Sequence, residues 1–157
     1  MNDNTETQDL ELALLNRARR YCAAAEQCSD AVRQKVSAWG GDPQMAGRII
    51  ARLHDEGYLD DIRYARRYCE SKLLGQHWGR QKVAYQLRMK HLAPEAIAAG
   101  MDAVDDEAYM QALADLAAKK ARTLPLDDRR RKLTAFLASR GYAISEINQV
   151  LINISEP

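Results

Sequence analysis

Three pairs of adjacent aspartates carry the carboxylate oxygens that divalent cations prefer. They are Asp60–Asp61, Asp105–Asp106 and Asp127–Asp128. Each pair stands at the start of a predicted helix, where an aspartate can cap free backbone N–H groups and where negative charge meets the positive end of the helix dipole. Helix capping explains the pairs more simply than metal chemistry does, so we predict no metal site.

The other residues that could do chemistry lack the required spacing. His54, His77 and His91 fall near helix ends or in a loop, and no two are spaced as a metal pair on one helix. The segment Gly41–Arg48 lacks the Lys-Ser/Thr pair of a phosphate loop, and its proline is better explained as a helix start. No serine lies in a Gly-x-Ser-x-Gly elbow. We therefore expect a protein that is not an enzyme and uses no cofactor.

The cysteines favour a reducing compartment. Cys22, Cys28 and Cys69 are odd in number and have no CxxC spacing. The sequence shows no signal peptide and no long apolar run, so we expect a cytoplasmic protein with no membrane partner. Each thiol lies among helix-forming residues and is predicted to be a small buried hydrophobic group.

Composition and charge indicate a helical binding protein. Of the 157 residues, 46% are hydrophobic and only 6% aromatic, which suits packed helices better than a β-sandwich. The net charge of +1 is not typical of a dedicated nucleic-acid binder. Charge nevertheless alternates: residues 60–92 hold eight basic and three acidic side chains, residues 93–118 hold six acidic and none basic, and residues 119–132 hold seven basic and two acidic. Such blocks can present faces of opposite sign to different partners.

Three stretches share one pattern of apolar residues and breaks. They are Lys35–Pro43, Gln86–Pro94 and Phe136–Ile144. Each covers the end of one predicted helix and the start of the next, which indicates a tandem repeat of three-helix units. We predict an all-α fold of nine helices: a disordered tail over residues 1–9, then repeats over residues 10–59, 60–104 and 105–154. Because units this small bury little surface alone, we expect them to stack into an elongated body.

Helix starts and buried stripes are clearest in the middle repeat. Asp60 is a suitable N-cap, and Gly57 can adopt the left-handed conformation that ends the preceding helix. Pro94 fits the first turn of the third helix. The predicted buried stripes are Ile62, Ala65, Cys69 and Leu73, then Val83 and Leu87, then Ile97, Met101 and Val104.

The outer repeats follow the same plan. In the first repeat, Ser29 is predicted to cap the second helix, and Asp42 with Pro43 to start the third. Trp39 follows the apolar stripe of the second helix and is predicted to lie in the core. In the last repeat, Pro125 falls in the loop between the first two helices.

The candidate contact residues are basic side chains and one tryptophan. They are Arg63, Arg66, Arg67, Lys72, Trp78, Arg80, Lys82, Arg88, Lys90, Arg129, Arg130, Arg131 and Lys132. A run of charge often forms only a solvated face, and that alternative stays open for the middle repeat. The cluster Arg129–Lys132 sits against the helix dipole at a predicted helix start, which favours an external partner. Trp78 lies in a predicted loop, where it could be an exposed contact residue.

Several segments resemble the RecX family. Leu53–Arg66 resembles its signature, in which a Gly-aromatic-Leu turn leads to an Asp and an aromatic-Ala pair. Trp78–Lys90, Pro94–Ile97 and Arg131–Tyr142 resemble its later segments, in the correct order. His91 stands where the family usually has a glycine, and Ala93 replaces a capping residue before the proline.

The resemblance implies a modulator that binds RecA filaments on DNA, lies along the filament groove and restrains ATP hydrolysis, strand exchange and LexA-type coprotease activity. A repeat protein can meet the repeated patches of a filament with equivalent faces and so gain avidity. We expect a monomer whose main partner is the RecA filament. The alternative is a helical protein whose basic clusters grip DNA directly.

Overall fold

The computed structural model describes residues 2–154, and all regular secondary structure in that range is helical. The helices are α1 (Asn2–Ala24), α2 (Ser29–Ala38), α3 (Pro43–Asp55), α4 (Asp61–Glu70), α5 (Arg80–Met89), α6 (Pro94–Asp102), α7 (Asp106–Ala121), α8 (Arg129–Ser139) and α9 (Ile144–Leu151). A π-helical turn, Ser71–Gly75, extends α4. The predicted all-α fold with nine helices is confirmed over this range. No helix in it is both long and apolar enough to cross a membrane.

Backbone contacts divide the chain into two compact units. The described part of unit 1 runs from residue 2 to Tyr64 and adds Lys90–Leu92. The described part of unit 2 comprises Ala65–Met89 and residues 93–154. Because the division falls inside α4, the two compact units do not coincide with the three predicted repeats. The boundaries of those repeats stay a prediction.

Unit 1 has a core shared by its first three helices. The core side chains are Leu14, Leu15, Ala18 and Cys22 of α1, Val32 and Val36 of α2, Met45, Ala46, Ile49, Ile50 and Leu53 of α3, and Leu59. Trp39 is half-buried and packs against this core, while the Arg17 guanidinium lies 4.3 Å from the centre of its ring. The predicted core role of Trp39 is therefore correct only for part of its surface.

The first helix corrects the prediction of a disordered tail over residues 1–9. Residues 2–9 are helical and exposed, while residue 1 lies outside the described range. No apolar stripe marks this segment, which is why the sequence predicted disorder. Extending a helix from the buried turns around Leu14 costs far less than starting one, and Asp3 favours the positive end of the dipole.

The turn between α3 and α4 has the predicted architecture. Gly57 adopts a positive φ of 79°, and the Tyr58 N–H donates to the Leu53 carbonyl at 2.9 Å. This pattern closes the end of α3. Asp60 Oδ1 then accepts from the Arg63 N–H at 3.0 Å and caps α4.

Equivalent backbone features recur along the chain at the predicted spacing. Gly40, His91 and Gly141 all have positive φ and follow the ends of α2, α5 and α8. His91 therefore adopts the left-handed conformation that glycine adopts in the other two repeats. This conformation costs free energy for a residue with a Cβ atom, and glycine avoids that cost. The helices α3, α6 and α9 begin at Pro43, Pro94 and Ile144, as the aligned stretches predict.

Within unit 2, α6 is packed through small residues. Ala65, Cys69 and Leu73 are fully buried as predicted, but Ile62 is 41% exposed. Of the stripe predicted around α6, Val104 is buried, whereas Ile97 and Met101 are half-buried. The other buried positions on α6 are Ala96 and Gly100. A Cβ atom at Gly100 would lie 2.8 Å from the Ala65 carbonyl oxygen, so α6 turns its small residues toward Ala65. The prediction was wrong for Ile97 and Met101, because it selected the larger apolar side chains of α6.

Two predicted caps are also wrong. Ser29 does not cap α2; Cys28 holds the N-cap position, and the Ser29 N–H donates to Asp61 Oδ1 at 2.9 Å. Asp128 precedes α8 in the left-handed conformation and makes no capping bond. Its carboxylate instead accepts from the Arg131 guanidinium. Asp105 does cap its helix, accepting from the Ala108 N–H at 3.0 Å.

Candidate interaction surface

Trp78 lies in the turn between the π-helical segment and α5, flanked by two predicted site residues. The Nζ atoms of Lys72 and Lys82 lie 4.6 Å and 4.2 Å from the centre of its ring. These distances allow cation–π attraction between each ammonium group and the ring. The backbone N–H of Trp78 also donates to the Lys72 carbonyl at 2.9 Å. Trp78 is half-buried, so only part of the ring is available to a partner.

The turn that carries Trp78 is tied to the turn between α8 and α9. The Gly79 N–H donates to the Arg140 carbonyl at 2.8 Å, and the Gln81 N–H to the Gly141 carbonyl at 3.1 Å. The Arg140 guanidinium donates in return to the carbonyls of Gln76 and His77. These bonds fix the place of the Trp78 backbone within unit 2.

Arg80 is held by an internal network. Its guanidinium lies 3.9 Å from the centre of the Tyr109 ring and pairs with Glu146 at 3.4 Å and with Asp106. The Tyr109 hydroxyl donates to Glu146 Oε1 at 3.2 Å, and burial raises the pKa of Tyr109. Arg80 therefore has a packing role, and its contact with a partner stays a prediction.

Arg63 is similarly held within unit 1. Its Nε lies 2.9 Å from Glu26 Oε1, and its guanidinium also donates to the Gly57 carbonyl at 3.2 Å. Lys90, the other predicted site residue in unit 1, is half-buried. The sequence could not show the pairing of Arg63, because Glu26 lies 37 positions away in the chain.

Three of the predicted basic residues of the middle repeat are exposed. Arg66 and Arg67 lie on α4, and Arg88 lies on α5. Exposed guanidinium groups contribute little to folding but act at long range on a charged partner. Among the predicted residues of the middle repeat, these three are the best placed to meet a macromolecule.

The cluster Arg129–Lys132 forms the first turn of α8 and borders a groove in unit 2. The groove has a volume of about 820 Å³, and its apolar lining is Leu126, Leu133, Ala135, Ala138, Leu151 and Ile154. Arg129 is half-buried and donates to the Leu124 carbonyl at 2.7 Å, while the other three side chains are exposed. Arg131 bonds Asp128 and thereby lowers the pKa of that carboxyl group. Part of the cluster's charge is therefore already compensated.

The three cysteine thiols are free and buried. Burial raises the pKa of Cys22 and of Cys69 to about 11, and it also raises the pKa of Cys28. These thiols stay protonated at neutral pH, so they are poor nucleophiles and poor metal ligands. Over residues 2–154, no three His, Cys, Asp or Glu side chains are grouped so as to hold a metal ion.

Two exposed apolar side chains were not among the predicted contact residues. Tyr85 and Met89 lie one turn apart on α5 and are 53% and 59% exposed. The predicted contact residues were chosen mainly for positive charge, which neither side chain carries. The repeat alignment could have done so, because the equivalent positions in the other two repeats hold polar or small residues.

Models of two parts of one protein family match this chain. The RecX second three-helix domain matches residues 60–101, and the RecX third three-helix domain matches residues 106–151. Together they cover more than half of the sequence. The chain belongs to the RecX family. The resemblance seen in the sequence is thereby confirmed.

Full-length relatives and solved structures agree with this assignment. The chain is 26% identical to the regulatory protein RecX of Shigella sonnei (strain Ss046) and to that of Escherichia coli (strain K12), over 99% of this chain and 100% of each relative. A crystal structure of RecX from Lactobacillus salivarius superposes with a TM-score of 0.81 at 17% identity, over 93% of this chain and 97% of that one. A second crystal structure of a regulatory protein RecX also gives 0.81, at 19% identity, over 92% and 73%. The family is thus one of regulatory proteins with this fold.

Proposed function

We propose that this protein binds RecA filaments assembled on DNA in the cytoplasm and restrains their ATP hydrolysis, strand exchange and LexA-type coprotease activity. Such a protein would act in DNA repair, recombination and the SOS response. Membership of a family of regulatory proteins, with alignment over 99% of the chain, is the observation that carries this proposal.

The surface of unit 2 supports a charge-steered encounter. Arg66, Arg67 and Arg88 are exposed, and α5 carries three basic residues and no acidic one. A filament of protein on DNA presents phosphates and acidic side chains to such a surface. Binding should therefore weaken as salt rises, because exposed charges are screened over about 8–10 Å at physiological ionic strength.

The test is the ATPase activity of RecA on single-stranded DNA, measured with and without this protein. We expect the wild type to lower the rate in proportion to its concentration. The double variant Arg66→Glu and Arg67→Glu should lose the inhibition while keeping its helicity, since exposed charges contribute little to stability. Lys119→Glu with Arg122→Glu is the matched control, because it changes the net charge equally at exposed positions of unit 2.

Two results would count against this reasoning, the first against the function and the second against the docking residues. One is an ATPase rate that does not change with the wild-type protein. The other is full inhibition by the folded double variant, which would remove Arg66 and Arg67 from the docking surface and direct attention to Arg129–Lys132.

A second candidate function is direct binding of single-stranded nucleic acid. Trp78 between Lys72 and Lys82 combines a ring on which a base can stack with two cations that can meet phosphates. Binding to bare single-stranded DNA, measured by anisotropy across a salt series, separates the two functions. Loss of RecA inhibition and of DNA affinity in parallel, in the Lys72→Glu and Lys82→Glu variant, would favour the second.

A further inference from the structure

The solvent face of α5 carries an apolar pair that the fold of unit 2 does not use. Tyr85 and Met89 are 53% and 59% exposed, and they stand one helical turn apart. Arg88 is exposed beside Met89 on the same helix. Side chains three and four positions apart share one face of a helix, so the three form one surface, which we name the α5 face.

The internal repeat shows that large apolar residues are not required at these two positions. The residues equivalent to Tyr85 are Gln34 on α2 and Ala135 on α8, and those equivalent to Met89 are Ala38 and Ser139. All four are exposed, as are Tyr85 and Met89 themselves. The position therefore faces solvent in every repeat, and only the middle repeat fills it with large apolar side chains.

The composition of the α5 face is that of a protein interface. Tyrosine, methionine and arginine are each enriched where proteins bury surface against one another, and tyrosine and arginine dominate the residues that carry binding energy. A nucleic acid could stack a base on Tyr85, but it would gain little from the aliphatic thioether of Met89. The pair thus favours a protein as the occupant.

The positive charge of α5 indicates the charge that its partner should carry. The helix α5 carries Arg80, Lys82 and Arg88 and no acidic residue. Arg80 pairs internally with Glu146 and Asp106, and Lys82 lies against Trp78, so Arg88 remains the exposed cation next to the apolar pair. A complementary surface is an apolar pocket with a carboxylate at its rim.

We propose that the α5 face docks Tyr85 and Met89 into an apolar, acid-rimmed pocket on the protein subunit of the filament. This inference rests on the proposed function and names the face that makes the protein contact. Arg88 pairs with the rim carboxylate and sets the orientation of the helix. The DNA in the filament contributes no contact to this face.

The test replaces the pair by the residues of the first repeat, Tyr85→Gln with Met89→Ala. The equivalent residues Gln34 and Ala38 already occupy an exposed helical position, so the variant should keep its helicity and melting temperature. Binding is measured by anisotropy of the labelled chain on RecA filaments formed on single-stranded DNA with a slowly hydrolysed ATP analogue. We expect the dissociation constant to rise about 10- to 100-fold, as for loss of an aromatic interface anchor.

Two control variants sharpen the measurement. Ile144→Gln removes a side chain that is 55% exposed at the start of α9 in the same unit, and it should bind as the wild type does. Arg88→Glu should weaken binding, while Arg88→Lys should keep most of it. An equal loss for Ile144→Gln would overturn the assignment to the α5 face.

The outcomes separate this inference from the function on which it rests. If the wild type binds and the Tyr85→Gln, Met89→Ala variant keeps the same affinity, the α5 face is overturned and the proposed function stands. No binding by the wild type overturns both. An equal loss of affinity for bare single-stranded DNA overturns the protein contact in favour of base stacking. A wild-type dimer that the variant dissociates, seen by sedimentation, overturns it in favour of a second copy of the chain.

Discussion

The turn that presents Trp78 depends on the absence of a side chain at Gly79. A Cβ atom there would lie 2.0 Å from the Gly141 carbonyl carbon, 2.1 Å from its oxygen and 2.2 Å from the Tyr142 nitrogen. All three are backbone atoms, so no change of rotamer relieves the contact. The substitution Gly79→Ala must therefore move the two turns apart by more than about 1 Å to reach an ordinary van der Waals distance.

The cost follows from what that movement breaks. Two backbone hydrogen bonds join the turns, from Gly79 to Arg140 and from Gln81 to Gly141. Each contributes about 0.5–1.5 kcal/mol, and overpacking costs about 1–3 kcal/mol. We expect Gly79→Ala to lower the free energy of unfolding by about 2–6 kcal/mol, a large share of the total for a small protein.

Urea unfolding followed by circular dichroism measures this loss. Gly75→Ala is the matched control four positions earlier, since a Cβ atom there meets no atom of the described residues within 4 Å. It should be neutral or stabilising by about 0.4–1 kcal/mol. In a Trp39→Phe background, the emission of Trp78 reports on the turn alone and should change in Gly79→Ala. Unfolding within about 0.5 kcal/mol of the wild type, with unchanged emission, would refute the close contact of the two turns.

Further predictions concern the cores and the buried tyrosines. Leu87→Ala and Leu137→Ala remove fully buried side chains at equivalent positions of two repeats, and each should cost about 2–5 kcal/mol in urea unfolding; a near-neutral result for either would contradict the repeat register. Tyr142→Phe should be neutral or slightly stabilising at pH 7, because the buried Tyr142 hydroxyl has no hydrogen-bond partner among residues 2–154. Burial raises the pKa of Tyr142 to about 12 in the folded state, whereas a tyrosine in the unfolded chain titrates near about 10. The stability that this group contributes is therefore fully present below about pH 10 and is lost as the pH rises through about 12. Tyr142→Phe should therefore gain about 1 kcal/mol relative to the wild type between pH 7 and pH 11; an equal difference at both pH values would contradict the burial of this hydroxyl.

Local signals in the sequence predicted the helix starts, and packing decided which faces are buried. Asp42 followed by Pro43 starts α3 as predicted, because a cap and an N1 proline act within four residues. The buried face of α6 was missed, because the close approach of Gly100 to Ala65 depends on a helix elsewhere in the chain. A stripe of large apolar residues predicts burial only where the neighbouring helix leaves room for them.

The candidate surface was harder to predict, because a charged residue does not reveal its partner. Arg63 pairs with Glu26 across 37 positions and Arg80 with Glu146 across 66, so both arginines are engaged within the fold. Nothing in the local sequence distinguishes them from Arg66, which is exposed. Counting basic residues therefore does not show which of them are already paired within the fold.

The repeat explains the pairing of Arg80. Ser29 and Arg80 are equivalent first residues of α2 and α5, and each bonds the aspartate that opens the first helix of the following repeat, Asp61 and Asp106 respectively. Arg80 thus takes the structural place that a serine takes one repeat earlier. By the same logic, a residue that departs from its equivalents without making an internal contact is a candidate for function. Tyr85 is 53% exposed and differs from its equivalents Gln34 and Ala135, which is why the docking test begins there.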